Sequence, residues 1–280
     1  MKGPLLAIAL CLMALLPACS SVPTPALRTQ QTLQLAQQAQ WQPQVLEISP
    51  FRLQAFVPAQ WQADDTLTLY IEGDGLAWLT SSQPSTDPTP VNPLALRLAL
   101  AQPGGNAAYL ARPCQFLADQ PNCQRRYWTD ARFAEEVVAA LDQAVVQLKE
   151  QAKARELVLV GYSGGAAIAL LLAARRDDVR QVITVAGNLD HAAWTAHHKV
   201  SPLHRSLNPA DQRQALTGLE QVHLVGERDR ITPPELARQF VAAFPQPARQ
   251  RVQVVPGYDH GCCWTQGWPG LWRAASTFSP

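Results

Sequence analysis

The chain predicts an α/β fold, with a mainly parallel central sheet and helices on both faces. Three observations carry that prediction. Apolar runs of strand length alternate with helical patterns along most of the 280 residues. The run Leu157–Val160 passes through the tight turn Gly161-Tyr162-Ser163-Gly164-Gly165 into the small-residue run Ala166–Leu172, giving strand, turn and helix in direct succession. A hydrophobic content of 47% with a formal charge of +1 suits one large domain with a full core. The same balance argues against disorder and names no polyanionic partner, so no nucleic acid is expected.

The N-terminal residues stand apart. Lys2, the apolar stretch Leu5–Leu16 and the small residues after it read as an export signal over residues 1–18. That stretch is short for a bilayer span. Leu16-Pro17-Ala18-Cys19 resembles a bacterial lipoprotein signal. The resemblance implies lipidation of Cys19 and a membrane anchor. With Ser20 next, it implies the outer membrane, with the chain facing the periplasm. Residues 19–44 are rich in Gln, Pro and Thr and read as a tether and N-terminal segment. Leu27, Leu33, Leu35 and Ala39 form only a loose helical pattern there.

The main domain is expected over 45–280. Val45–Ile48 and Phe51–Val57, broken at Ser49-Pro50, read as an antiparallel hairpin, and Thr66–Ile71 as a strand. A Gly-, Ser-, Asp- and Pro-rich loop covers 73–93. A short helix, Leu94–Leu100, and a strand, Ala107–Leu110, follow. Phe133, Val137, Leu141, Val145 and Leu148 share one helical face, with Glu135, Glu136, Asp142 and Lys149 off that stripe. After the 157–160 strand and a 166–174 helix comes the strand Val182–Val185. An irregular insertion at 187–216 occupies the place of a short cap over a binding site. The strand Val222–Val225, a helix Pro234–Phe244 opened by Pro233-Pro234, the strand Val252–Val255 and a closing helix Trp268–Phe278 complete the chain.

Beyond Cys19, four cysteines sit where an exported chain would oxidise them. Cys114 with Cys123 is the simplest pairing, across a short loop. It leaves Cys262 and Cys263 as a vicinal pair or as free thiols, while crossed pairings would tie the two loops together. A zinc site is the rival, but no finger-type ligand spacing is present.

Ser163 is the candidate for chemistry. Serine is a weak nucleophile until a base takes its proton and a carboxylate orients that base. Asp229 and His260 each follow a strand, as Ser163 does, and the chain order Ser, Asp, His suits a nucleophile elbow on a parallel sheet. Asp190, after the preceding strand, is an alternative acid. His191, His197, His198 and His204 lie in the insertion and match no standard metal site, so no metal is expected. His223, inside a strand, reads as a core residue. The Gly164 N–H, at a helix N-terminus, is aimed at any oxyanion that forms.

At these residues the chain resembles the α/β-hydrolase superfamily, over roughly residues 45 to 280. Gly161 to Gly165, Gly226-Glu227-Arg228-Asp229 with Thr232-Pro233-Pro234 behind it, and His260-Gly261 are similar to its nucleophile, acid and histidine segments. Ile71-Glu72-Gly73-Asp74-Gly75-Leu76-Ala77-Trp78, Leu110-Ala111-Arg112-Pro113-Cys114 and Thr184-Val185-Ala186-Gly187-Asn188-Leu189-Asp190 look like segments of an uncharacterised group of bacterial lipoproteins with that fold. The resemblance implies a serine hydrolase acting on small-molecule or lipid esters, or on thioesters, without a cofactor. It implies that the Asp74 amide joins Gly164 in the oxyanion hole, although Glu72 stands where histidine is common. The Glu72 and Asp74 side chains are then expected to point away or to pair with arginine. Trp78, Trp194 and Trp264 are candidate pocket residues, and Arg112 or Arg228 could steer an anionic substrate. A peptidase or amidase with the same three residues, and a non-catalytic binding lipoprotein on this fold, are the other readings.

Overall fold

The computed structural model describes residues 22–117, 120–245 and 249–277. The expected export signal and Cys19 lie outside them. Eight strands form one sheet: β1 (Trp41–Ile48), β2 (Phe51–Pro58), β3 (Thr66–Ile71), β4 (Asn106–Leu110), β5 (Glu156–Tyr162), β6 (Val179–Val185), β7 (Glu220–Gly226) and β8 (Gln250–Val255). Their spatial order is β1-β2-β4-β3-β5-β6-β7-β8. The first two strands make the expected hairpin, and β2 meets β4 antiparallel. Every later pairing is parallel, from β4–β3 through β7–β8.

The central strands are apolar on both sides because both faces are covered. Leu67, Leu69 and Ile71 of β3 and Leu157 and Leu159 of β5 point into one core. Tyr70, Val158 and Val160, one step out of phase, point into the other. The first core is closed by α3 (Glu135–Ala152), α4 (Gly164–Ala173) and α7 (Pro234–Ala242). The second is closed by α1 (Pro25–Gln38), α2 (Leu94–Leu100) and α8 (Trp264–Ser276). α3 shows the amphipathic stripe expected of it. Every residue of α4 is buried, which is why its sequence has no polar face.

The N-terminal segment is more ordered than its composition suggests. α1 is capped by Thr24, whose hydroxyl accepts from the Leu27 N–H, and it buries Arg28, Thr32 and Ala36 at four-residue spacing. Of the leucines that suggested a helix, Leu33 and Leu35 are partly buried against the second core, and Leu27 is exposed. Arg28 reaches across to the Thr89 carbonyl and to Asp87, 3.4 Å away, so the helix is tied to the 73–93 loop. Two shorter elements, α5 (His191–His198) and α6 (Arg213–Leu216), lie within the insertion. Among the described residues, no helix is long and apolar enough to cross a membrane.

Cys114 and Cys123 are disulfide-bonded, with Cα atoms 5.5 Å apart, and Cys262 is bonded to its neighbour Cys263. The first bridge closes a loop of sequence separation 9. Chain entropy alone then gives it about 2–3 kcal/mol of stabilisation. Replacing both Cys114 and Cys123 by serine is expected to lower the unfolding free energy by that amount. Urea unfolding of the variant beside wild type measures it.

Candidate active site

The site sits beyond the carboxyl ends of β5, β7 and β8. β5 ends in Ser163, which takes a left-handed conformation with φ 51° and ψ −118°. A side chain is strained there and must be held by its surroundings. The Ser163 N–H donates to the Val185 carbonyl at 3.0 Å, and its own carbonyl accepts from Ala166 and Asn188. The flanking glycines follow from crowding. A Cβ on Gly165 would strike the Ile71 and Glu72 carbonyls, and one on Gly161 would strike the first turn of α4. The turn can close only where no side chain intervenes. Gly164 opens α4, so its N–H has no intrahelical acceptor and points out of the helix at its positive end.

The structure brings Ser163, His260 and Asp229 into one chain of contacts. His260 Nε2 lies 3.1 Å from Ser163 Oγ, and His260 Nδ1 lies 2.9 Å from Asp229 Oδ2. The Asp229 side chain is fully buried, while His260 is partly open to solvent. Asp229 Oδ1 accepts from the Ile231 and Thr232 N–H groups at 2.8 Å each, and Oδ2 accepts from the Thr232 hydroxyl at 2.8 Å. Burial raises the Asp229 carboxyl, but His260 and the Thr232 donors outweigh it and hold it below the usual carboxylate value. The turn after β7 is laced to the His260 loop. Arg228 N–H donates to the Tyr258 carbonyl at 2.8 Å, and Gly226 leaves room for that strand of backbone. Asp259 accepts from the Gly261 and Cys262 N–H groups, which bends the loop under His260.

Asp190 is not the acid of this group. It caps α5, with Oδ1 accepting from the Ala192 and Ala193 N–H groups and from Asn208 Nδ2, and it pairs with Arg213 at 3.5 Å. Its hydrogen-bonding capacity is spent on the insertion. Trp264 is not a pocket residue either. It is fully buried against Tyr258 at the start of α8, with its indole N–H donating to the Asp259 carbonyl at 3.0 Å. Trp78 is exposed on the 73–93 loop. Trp194 lies on the insertion, its indole N–H donating to the Ile231 carbonyl at 2.7 Å beside the Asp229 turn. His223 is a buried core residue paired with the Thr184 hydroxyl at 2.9 Å, and burial lowers it to about 3.

The turn after β3 faces Ser163 from the other side. Glu72 is buried, and its Oε1 accepts from the Gly73 N–H at 2.9 Å while Oε2 accepts from the Tyr109 hydroxyl at 3.2 Å. Asp74 pairs with Arg112 and Arg132, as the arginine expectation required. A Cβ on Gly164 would collide with the Asp74 carboxylate, so the residue after the serine is glycine for a reason of its own. Three further residues, Tyr162, Thr232 and Arg132, belong to the site without having stood out as candidates. The Tyr162 ring packs on His260 with centroids 5.4 Å apart, and its hydroxyl donates to the His260 carbonyl. Tyr162 carried a signal, its place inside the Gly-x-Ser-x-Gly turn, and Thr232 stood in the segment behind Asp229, whereas Arg132 carried none.

A parallel sheet with this order, and a left-handed serine between β5 and α4, define an α/β-hydrolase. Residues 101–276 match the Esterase family, described as "Putative esterase", and the chain belongs to that family. It is thus a hydrolase of the esterase type. No curated protein matches it in sequence. Among solved structures it is similar to the esterase Pf2001 of Pyrococcus furiosus, at a TM-score of 0.58 and 13% identity, covering 85% of this chain and 89% of that one. Est1E from Butyrivibrio proteoclasticus aligns at a TM-score of 0.55 and 12% identity, covering 84% and 99%. An α/β serine hydrolase homologue from Coxiella burnetii aligns at 0.54 and 16% identity, covering 84% and 95%. At such identities the likeness is one of fold.

Burial lifts the Glu72 carboxyl to about 7, against the donors at Gly73, Ala95, Tyr109 and Leu96. Between its ordinary value of 4.5 and about 7, the folded chain holds this proton and the unfolded chain does not. This contribution to stability is therefore complete below the ordinary value and is lost as pH rises through the window, by about 3 kcal/mol in all. Glu72→Gln is expected to remove that part of the pH dependence. Urea midpoints of wild type and variant, from about pH 4 to about pH 8, measure it.

Proposed function

We propose that this protein hydrolyses carboxylic esters through an acyl-enzyme formed on Ser163. The observation that carries the reading is His260 bridging the Ser163 hydroxyl and the buried Asp229 carboxylate. His260 Nε2 takes the proton as Ser163 Oγ attacks the ester carbonyl, and it returns that proton to the leaving alcohol. Water then repeats the sequence on the acyl group. Asp229, fixed by three donors besides His260, holds Nδ1 protonated and stabilises the imidazolium. The developing oxyanion is met by the Gly164 amide and by the Asp74 amide. The neighbouring Gly73 amide is already taken by Glu72, which supports Asp74 as the second donor. No cofactor enters this chemistry. Thioesters and lipid acyl groups present the same electrophilic carbonyl and are further substrate classes for the site. Trp78, exposed on the 73–93 loop, and Trp194, at the turn that holds Asp229, are proposed to contact the substrate. The signal-like N-terminus supports a chain anchored by lipid on Cys19, on the periplasmic face of the outer membrane.

Purified full chain in detergent should react with a fluorophosphonate probe and turn over nitrophenyl esters. Ser163→Ala should abolish both. Asp229→Asn should cut kcat by roughly 10⁴-fold with the fold intact. A folded wild type that neither labels nor turns over would refute the reading, whereas comparing ester, thioester and anilide leaving groups across acyl lengths defines the substrate class. Separately, cells expressing Cys19→Ser should lose incorporation of an alkynyl fatty acid into the protein. Undiminished incorporation would exclude the anchor.

A further inference from the structure

The grip on the Asp74 side chain has no part in the steps above. Its carboxylate lies in the space that a Gly164 Cβ would fill, beside one of the two amides assigned to the oxyanion. A bare anion there would repel the charge that develops on the carbonyl oxygen. Two guanidiniums hold it instead. Arg132 Nη1 is 2.6 Å from Oδ2, and Arg112 Nη1 is 3.4 Å from Oδ1. Arg112 is 3% exposed and Arg132 7%. Each is in turn fixed to backbone. Arg112 Nη2 donates to the Arg132 carbonyl, and Arg132 Nε donates to the Thr129 carbonyl at 2.6 Å. The Arg112 guanidinium also lies over the Phe133 ring, 5.3 Å from its centroid. Burial lowers Arg112 to about 10, which still leaves it charged at neutral pH. The cluster therefore holds one more positive charge than negative.

We infer that Arg112 and Arg132 are positioning residues for the oxyanion site: they act through Asp74, hold the turn at 73–75 with its amide aimed at the oxyanion, and keep the Asp74 carboxylate neutralised. This rests on the serine-hydrolase reading. It assigns buried arginines to the rate of the reaction rather than to the affinity for substrate.

Kinetics separates this role from a merely structural one. In Arg132→Gln the turn loosens and Asp74 loses its shorter ion pair. An oxyanion donor acts on the transition state more than on the bound ester. The expected result is a kcat lower by about 10- to 100-fold with KM changed by less than about threefold. Activity is normalised to the fraction that a fluorophosphonate labels at completion. Arg132→Lys should regain part of the loss. The double variant Asp74→Asn/Arg132→Gln should exceed Arg132→Gln alone, because the unpaired carboxylate beside the oxyanion is gone. Unchanged kcat in Arg132→Gln, a loss confined to KM, or a double variant no better than the single one would overturn the inference. If Arg132→Gln does not fold, Arg132→Lys and Asp74→Asn decide the matter: reduced kcat at constant KM in both supports it, and wild-type kcat in both refutes it. A folded wild type that is neither labelled nor active removes the serine-hydrolase reading and this inference together. A labelled, active wild type with unaffected variants removes this inference alone.

Discussion

The site depends on one close approach of backbone to backbone. The first turn of α4 presses against the end of β3, with Gly165 seated on the Ile71 and Glu72 carbonyls. That contact forces the chain to leave β5 through a left-handed Ser163. The strain is balanced by hydrogen bonds from three directions: β6 through the Val185 carbonyl, α4 through Ala166, and the insertion through Asn188. A serine in ordinary strand geometry would point into one of the two cores. In this turn its hydroxyl stands clear of the sheet, where a base can reach it.

His260 and Asp229 come from loops, so their precision has to come from elsewhere. The turn after β7 and the loop after β8 are bonded to each other through Arg228 and Tyr258 before either meets the serine. Asp229 is locked by Ile231 and Thr232, and Tyr162 supports His260 from below. The insertion reaches the same turn through Trp194 and His198, both bonded to the Ile231 carbonyl. The insertion and the Asp229 turn thereby share two hydrogen bonds. The substitution Trp194→Phe would cut one of those two links by removing the indole N–H.

Much of this was legible in the chain. Thr66–Ile71 and Leu94–Leu100 form their strand and helix on the residues expected, because apolar runs bounded by turn residues leave little choice. Ser163, Asp229 and His260 could be picked out because each follows a strand of a parallel sheet. What escaped detection had polar residues in buried roles. α1 buries Arg28 and Thr32 along with Ala36, so its apolar periodicity shows only part of its buried face. Asp190 and Asp229 each follow a strand, and they are told apart in space by the capping of α5 by Asp190 and the contact of Asp229 with His260. Trp264 stands beside the site in sequence, but the helix begins at that residue and turns its ring into the core. Arg132 gave no signal because its partner is 58 residues away.

The charges around the serine follow a common logic. Tyr162, next to Ser163, is raised by burial first and then by Glu72, Asp229, Asp259 and Asp74, so four carboxylates act on the residue beside the serine. Each has a different means of restraint. Asp229 is offset by His260, whose Nδ1 lies 2.9 Å from its Oδ2. Asp259 is held by backbone amides of its own loop. Glu72 is buried deeply enough to hold its proton up to near neutral pH. Asp74, which stands closest to the Gly164 amide, is the one set between two guanidiniums. A carboxylate in that position is otherwise hard to reconcile with the oxyanion role proposed for the site. Its arginines make the arrangement coherent, and they explain why a loop rich in glycine and acid can face the serine at all.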